Sequence, residues 1–318
     1  PASASGTTAE EGMVPVRQLI TQMVAGITSN DLKSLKTYLE SDDCTIAEDA
    51  TSIEYSYNVQ PQIYREDDDG SIRQVNPDSS RSSLGISSTS STNSMMSSMM
   101  NTSVFYQLPE SDELYNSQYE VKAGRWPEKY NECVAVLGAD GTITDYALYA
   151  LGLRDSAELD KMIQQFAQNQ NVDVPTDFKT YRYSDFIGIQ FKLVNAADRY
   201  LRDDDHNAWV DKSDDKDFMK SLVASSETLT VVGVVQPKED ASASMLSSGI
   251  AYPAALTQHV IAAAADSQMV KDQLASPAIN VMNGEPFGTE DASAFDMSSL
   301  FRIDTDMLKS CLLYTSDA

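Results

Sequence analysis

Two short runs constrain the fold of this chain more than anything else in it. One is "CVAVLG", in which Cys133, Val134, Ala135, Val136 and Leu137 are all apolar and Gly138 closes the run. The other is "ETLTVVGVVQPKE", in which Val231, Val232, Val234 and Val235 flank Gly233. Valines lose side-chain freedom in a helix and pack well on a pleated surface, so both runs predict buried strands. A polar corner, Gly124-Arg125-Trp126-Pro127, stands just before the first. Pro127 fixes its own φ, and Trp126 offers a large surface to bury beside the turn. The corner is expected to set where the chain enters the sheet.

Around these runs the hydrophobic period changes repeatedly. In "VRQLITQMVAGI", Val16, Leu19, Ile20, Met23, Val24 and Ile27 fall at helical spacing. "SNDLKSLKTYLES" predicts a second helix, with Ser29 or Asn30 as cap and Leu32, Leu35 and Leu39 as one stripe. Ile53, Tyr55, Tyr57 and Val59 then alternate as on a strand, and Gln60-Pro61 breaks the run before Ile63 and Tyr64 resume it. The acidic "DDDG" ending at Gly70 reads as a hairpin turn and "SIRQVNP" as the returning strand. Further on, "DYALYALGL" and "DSAELDKMIQQFAQNQ" predict helices, the second with Asp155 and Glu158 as a capping box. Ile187, Ile189, Phe191 and Leu193 alternate as a strand, and "SDDKDFMKSLVASS" is a helix with an acidic start. "YPAALTQHVIAAAADSQMVKDQLASP" is helical between Pro253 and Pro277, and "AINVMN" is a final strand. Helices and strands mix without a regular βαβ rhythm, which predicts an α+β fold with mixed sheets and packed helices.

Residues 1–11 read as a flexible lead-in, and residues 78–103 are nearly half serine. Ordering that second segment costs roughly 25–50 kcal/mol of backbone entropy. Its six larger apolar residues, among them Met95, Met96, Met99 and Met100, return only about 12 kcal/mol. The insert is therefore expected to be flexible, its methionines serving as a packed flap or an adaptable apolar contact. The folded remainder is expected over 12–77 and 104–310. The last eight residues, "CLLYTSDA", read as a translated sequencing adapter and are set aside.

The chain has 318 residues and a formal net charge of −25, from 48 acids against 23 bases. That sets carboxylates against phosphates and excludes a nucleic-acid partner. No apolar run is long enough to span a bilayer. Only His206 and His259 are available as imidazoles, with no H-E-x-x-H or C-x-x-C, so a zinc site has almost no ligands to draw on. His206 among Asp203, Asp204 and Asp205 reads as a solvated loop, and His259 as a helix-face residue. Neither a G-x-S-x-G elbow nor a P-loop occurs, and "GADG" ending at Gly141 is a turn, lacking the third glycine of a dinucleotide site. An EF-hand built on "DDDG" would place Arg65 and Asn76 at ligand positions, which they do not suit. "DKSDDKD", starting at Asp211, interleaves lysines that repel a cation. Cys44 and Cys133 are free to pair in an oxidising compartment or to stay as buried thiols. No position is assigned a catalytic, cofactor-binding or metal-binding role, and no enzymatic activity or cofactor is expected.

Three segments taken in order resemble one family. "YEVKAGRWPEKYNECVAVLG", "DFIGIQFKLV" and "ETLTVVGVVQPKE" are similar to the strand motifs in the extracytoplasmic core domain of MacB-like and FtsX-like ABC-transporter permeases. The serine- and methionine-rich insert and "KTYLESDDCTIAEDATSIEYSYNVQPQIY" resemble the outer domains of permeases from Gram-positive gut bacteria. The resemblance implies a two-lobed core domain on the extracytoplasmic face of the cell membrane, anchored by helices outside this sequence. It further implies a permease homodimer or heterodimer and a separate cytoplasmic ATP-binding subunit. The domain would pass nucleotide-driven motion to peptides, lipids or lipoproteins. The alternative from the residues is a secreted or surface-anchored peptide- or glycan-binding module without catalysis.

Overall fold

The computed structural model describes residues 31–46, 50, 52–67, 69–77, 104–168, 170–177, 179–241 and 244–287. The expected lead-in, the helix from Val16 to Ile27, the insert over 78–103 and the closing eight residues lie outside them. The chain divides into two compact units, Pro1–Tyr55 and Ser56–Ala318.

In the first unit α1 (Leu32–Leu39) starts at Asp31, whose carboxylate accepts from the Ser34 backbone N–H at 3.0 Å. Asp31 is thus the cap, not Ser29 or Asn30. No residue of α1 is buried. Of the stripe, Leu32 and Leu35 are exposed and Leu39 is half-buried, so it is not a buried core face.

The second unit is built on an eight-stranded mixed sheet. Its strands are β1 (Gln62–Glu66), β2 (Ile72–Asn76), β3 (Phe105–Gln107), β4 (Tyr119–Gly124), β5 (Glu132–Val136), β6 (Gln190–Val194), β9 (Glu227–Pro237) and β10 (Gly249–Tyr252). A separate hairpin joins β7 (Tyr200–Asp203) to β8 (Ala208–Asp211). The sheet runs β2-β1-β6-β9-β5-β10-β3, with β4 also on β9. The long β9 is the axis. Its first residues pair antiparallel with β6, its later ones antiparallel with β4, and β5 runs parallel along the other edge. This is the mixed α+β architecture that the alternating periods predict.

All five residues of β5 are buried. Alternate side chains enter different clusters: Cys133 and Ala135 meet Phe191, Leu229 and Leu256, while Val134 and Val136 meet Leu108, Tyr115 and Tyr119. Cover on both faces is why the run is apolar at every position. The helices of this unit are α2 (Glu113–Asn116), α3 (Asp145–Leu151), α4 (Ser156–Ala167), α5 (Lys216–Ser225), α6 (Ala254–Asp266) and α7 (Gln268–Ala275). Met219 and Val223 of α5 cover Tyr64 and Val194, and Leu256 and Val260 of α6 close the main core.

Several local expectations need correction. The alternation from Ile53 to Val59 gives side chains that are half-buried in turn, but residues 52–61 are not a strand. Asp155 does cap α4, accepting from Ala157 N–H at 2.9 Å, but Glu158 turns to Arg154 at 2.8 Å instead of reaching back, so the box is half made. Of the alternating isoleucines only Ile189 packs against the core, while Ile187 is exposed. The long C-terminal helix is two, α6 and α7, broken at Ser267, which caps α7 through Val270 N–H. "AINVMN" is a turn closed by Asn280 and Glu285, with one bridge from Ile279 to Pro286. The hairpin turn before Gly70, the acid-capped start of α5 and the turn ending at Gly141 stand as expected.

Candidate functional site

The corner ahead of β5 is where backbone and charge converge most closely. β4 ends at Gly124 with φ +69°, in the region that favours glycine. A Cβ there would lie 2.0 Å from the Val232 carbonyl oxygen. Across the crossing, a Cβ on Gly233 would lie 2.1 Å from the Arg125 carbonyl oxygen. Two glycines let the segments touch through their backbones, and Arg125 N–H donates to Val232 at 3.1 Å. Arg125 then folds over the turn and grips Glu132 with both terminal guanidinium nitrogens, Nη1 at 2.7 Å and Nη2 at 2.6 Å. The Glu128 and Lys129 backbone N–H groups donate to the same carboxylate at 2.8 and 3.2 Å.

Glu132 is thereby held far below the usual carboxylate range, at about 2, chiefly by the Arg125 hydrogen bonds and then by those backbone donors. Its function is to hold the turn. A carboxylate whose oxygens are already occupied by four donors is a poor proton acceptor for a substrate. Trp126 is half-buried, not fully covered, with its ring 4.8 Å from Tyr115 and 6.5 Å from Tyr119. Beside the corner Cys133 is fully buried, and burial pushes its thiol up, away from the reactive thiolate. Cys44 and Cys133 are both free and buried.

The two histidines lie apart in role. His206 sits at the exposed tip of the β7–β8 hairpin, with Nδ1 2.8 Å from Asp203. His259 lies on α6, stacked on the Tyr130 ring with centroids 4.0 Å apart, its Nε2 3.0 Å from Glu227. Tyr130 donates its hydroxyl to Glu227 at 2.9 Å. The sequence reading placed His259 on a helix face but missed Tyr130 and Glu227, which no local motif connects to it. Among the described residues no group of three or more histidine, cysteine, aspartate or glutamate side chains is placed to hold a metal ion.

One shallow groove of about 290 Å³, counted with the open solvent above it, is lined by Arg73, Gln74, Tyr146, Tyr149, Ser156 and Leu159 among others. Its arginine is already engaged. Arg73 pairs with Asp67 at 3.0 Å and Asp160 at 2.6 Å, tying the β1–β2 hairpin to α4. Its Tyr149 and Ser156 hydroxyls are engaged as well: Tyr149 donates to Glu158 at 3.4 Å, and Ser156 Oγ accepts from Arg65 at 2.7 Å.

These features define an α+β protein with a mixed sheet and a tightly braced corner. No family model matches the chain, and no curated protein or solved structure matches it. Among the described residues no helix is long and apolar enough to cross a membrane.

Proposed function

We propose that this chain is the extracytoplasmic domain of an ABC-transporter permease of the MacB-like or FtsX-like kind, and that it transmits motion without catalysing a reaction. One observation carries the reading. The three segments that bear the resemblance become neighbours in space: β4 and β5 from the first, β6 from the second and β9 from the third. Together they form the centre of the sheet. A stiff centre with a fixed corner suits a part that passes on displacement, since packed cores transmit strain and do not absorb it. In this reading the two-lobed core domain stands on the extracytoplasmic face of the cell membrane. Its partners are a second permease chain and a cytoplasmic ATP-binding subunit, and its cargo is a peptide, lipid or lipoprotein.

The test is the gene beyond both ends of this sequence. Apolar spans of about 20 residues should flank the domain, with an ATP-binding protein encoded beside it. An upstream region without a span and a stop codon close after Ser310 would defeat the proposal. It would favour instead a secreted module that captures a peptide or glycan.

A further inference from the structure

The His259 cluster borders the braced corner and the start of β9, and its chemistry has a direction. It joins three elements: α6 through His259, the start of β9 through Glu227, and the loop before β5 through Tyr130. Each contact changes in the same sense when the imidazole takes a proton. Neutral His259 shares one hydrogen bond with the carboxylate. Protonated His259 donates that bond from a cation to an anion, and charge-assisted hydrogen bonds are roughly twice as strong as neutral ones. The ring stacked on it, 4.0 Å away, also attracts a cation more than a neutral ring. Tyr130 donates to Glu227 in both states and holds the carboxylate in place.

The titratable groups in contact with His259 are Glu227 from β9 and Tyr130 from the loop before β5. On β6 the Lys192 ammonium is held by the chain neighbours of Glu227, 3.1 Å from the Ser226 carbonyl and 3.4 Å from Thr228 Oγ1. Along α6 no Asp, Glu, Lys or Arg occurs until Asp266, seven positions on. His206, the other histidine, lies on the β7–β8 hairpin and is bonded to Asp203.

We propose that His259, Glu227 and Tyr130 form an acid-strengthened latch, which fastens α6 to the central sheet as pH falls through the histidine range. Proton uptake tightens the closed state only while Glu227 stays ionised, so the contribution fades as pH rises through the ordinary histidine range and again as pH falls through the ordinary carboxylate range. The pair is partly exposed, with side-chain exposures of 30% for His259 and 48% for Glu227. Its effect is therefore modest, about two- to fivefold in the opening equilibrium of α6.

The experiment is amide hydrogen exchange of α6 at pH 5.5 and pH 8, corrected for intrinsic exchange, on this chain and four variants. Wild type should show α6 opening about two- to fivefold less at pH 5.5. His259→Gln and Glu227→Gln should both lose that difference, while His206→Gln should keep it. Tyr130→Phe should keep the hydrogen bond of His259 and show a reduced difference. These are surface changes, so a folded sheet in each variant is checked by the protection of β5 and β9. Equal opening of wild-type α6 at the two pH values would overturn the latch. So would a Glu227→Gln protein with the wild-type difference, or loss of the difference on replacing His206 alone.

Discussion

In β5 every side chain is buried, and β9 and β10 hydrogen-bond along its two edges. In the β7–β8 hairpin the cross-strand partners Leu201 and Val210 stand exposed, and the strands are held at polar points. Trp209 donates its indole N–H to Asp272 at 3.0 Å, Arg202 donates to the same carboxylate at 2.8 Å, and Trp209 N–H reaches the Val281 carbonyl at 2.9 Å. The first region rests on packing that water cannot replace. The second rests on hydrogen bonds for which water competes, each worth about 1 kcal/mol net. Stability in this molecule should therefore be steeply graded from the sheet centre to its periphery.

The steepest test of that contrast is the glycine crossing. Gly233→Ala and Gly124→Ala each press a methyl onto a backbone carbonyl, and Gly124 adds strain from its φ of +69°. Each should cost about 3 kcal/mol or more in denaturant unfolding, and the double variant should cost less than the sum, since both disturb one contact. Next comes Leu229→Ala, which empties a fully buried position between β6 and β5. It should cost about 3 kcal/mol, read from the same unfolding midpoints. Trp126→Ala should cost about 2 kcal/mol, less than full burial would give, because the ring is half-buried where it packs on Tyr115 and Tyr119.

Glu132→Gln sharpens the picture through pH. Glu132 is depressed in the folded state, so its contribution is present above the ordinary carboxylate range and is lost as pH falls towards about 2. Thermal melts should show the variant below wild type near pH 6, with the gap closing as the solution is acidified to that point. The smallest effect belongs to the periphery. Trp209→Phe removes the indole donor and should cost about 1 kcal/mol or less overall. Its mark should be faster exchange of the hairpin amides, with β5 and β9 unchanged.

The same contrast governs what the sequence disclosed. Cys133 to Leu137 and Val231 to Val235 were legible because their environment is uniform: cover on both faces demands apolar residues throughout. The Asp67–Gly70 turn was legible because glycine at positive φ is a local requirement. The grip of Arg125 on Glu132 was not, although only seven residues separate them, because charged residues at a strand start read as solvated. Asp272 lies 63 residues beyond Trp209, and Glu227 lies 97 beyond Tyr130, so no periodicity links either pair. Leu32 and Leu35 of α1 and the segment over 52–61 mislead in the opposite way. Their periods are right, but the two leucines stand exposed and the segment is half-buried in turn without being a strand.

Native-state hydrogen exchange across the second unit tests the stiff-centre account most directly. The account predicts that amides of β5 and of β9 from Leu229 to Val235 exchange only through global unfolding, with denaturant dependence equal to that of the whole unit, while the β7–β8 amides exchange through local opening. Exchange of the β9 amides at the rate of the hairpin, insensitive to denaturant, would contradict it.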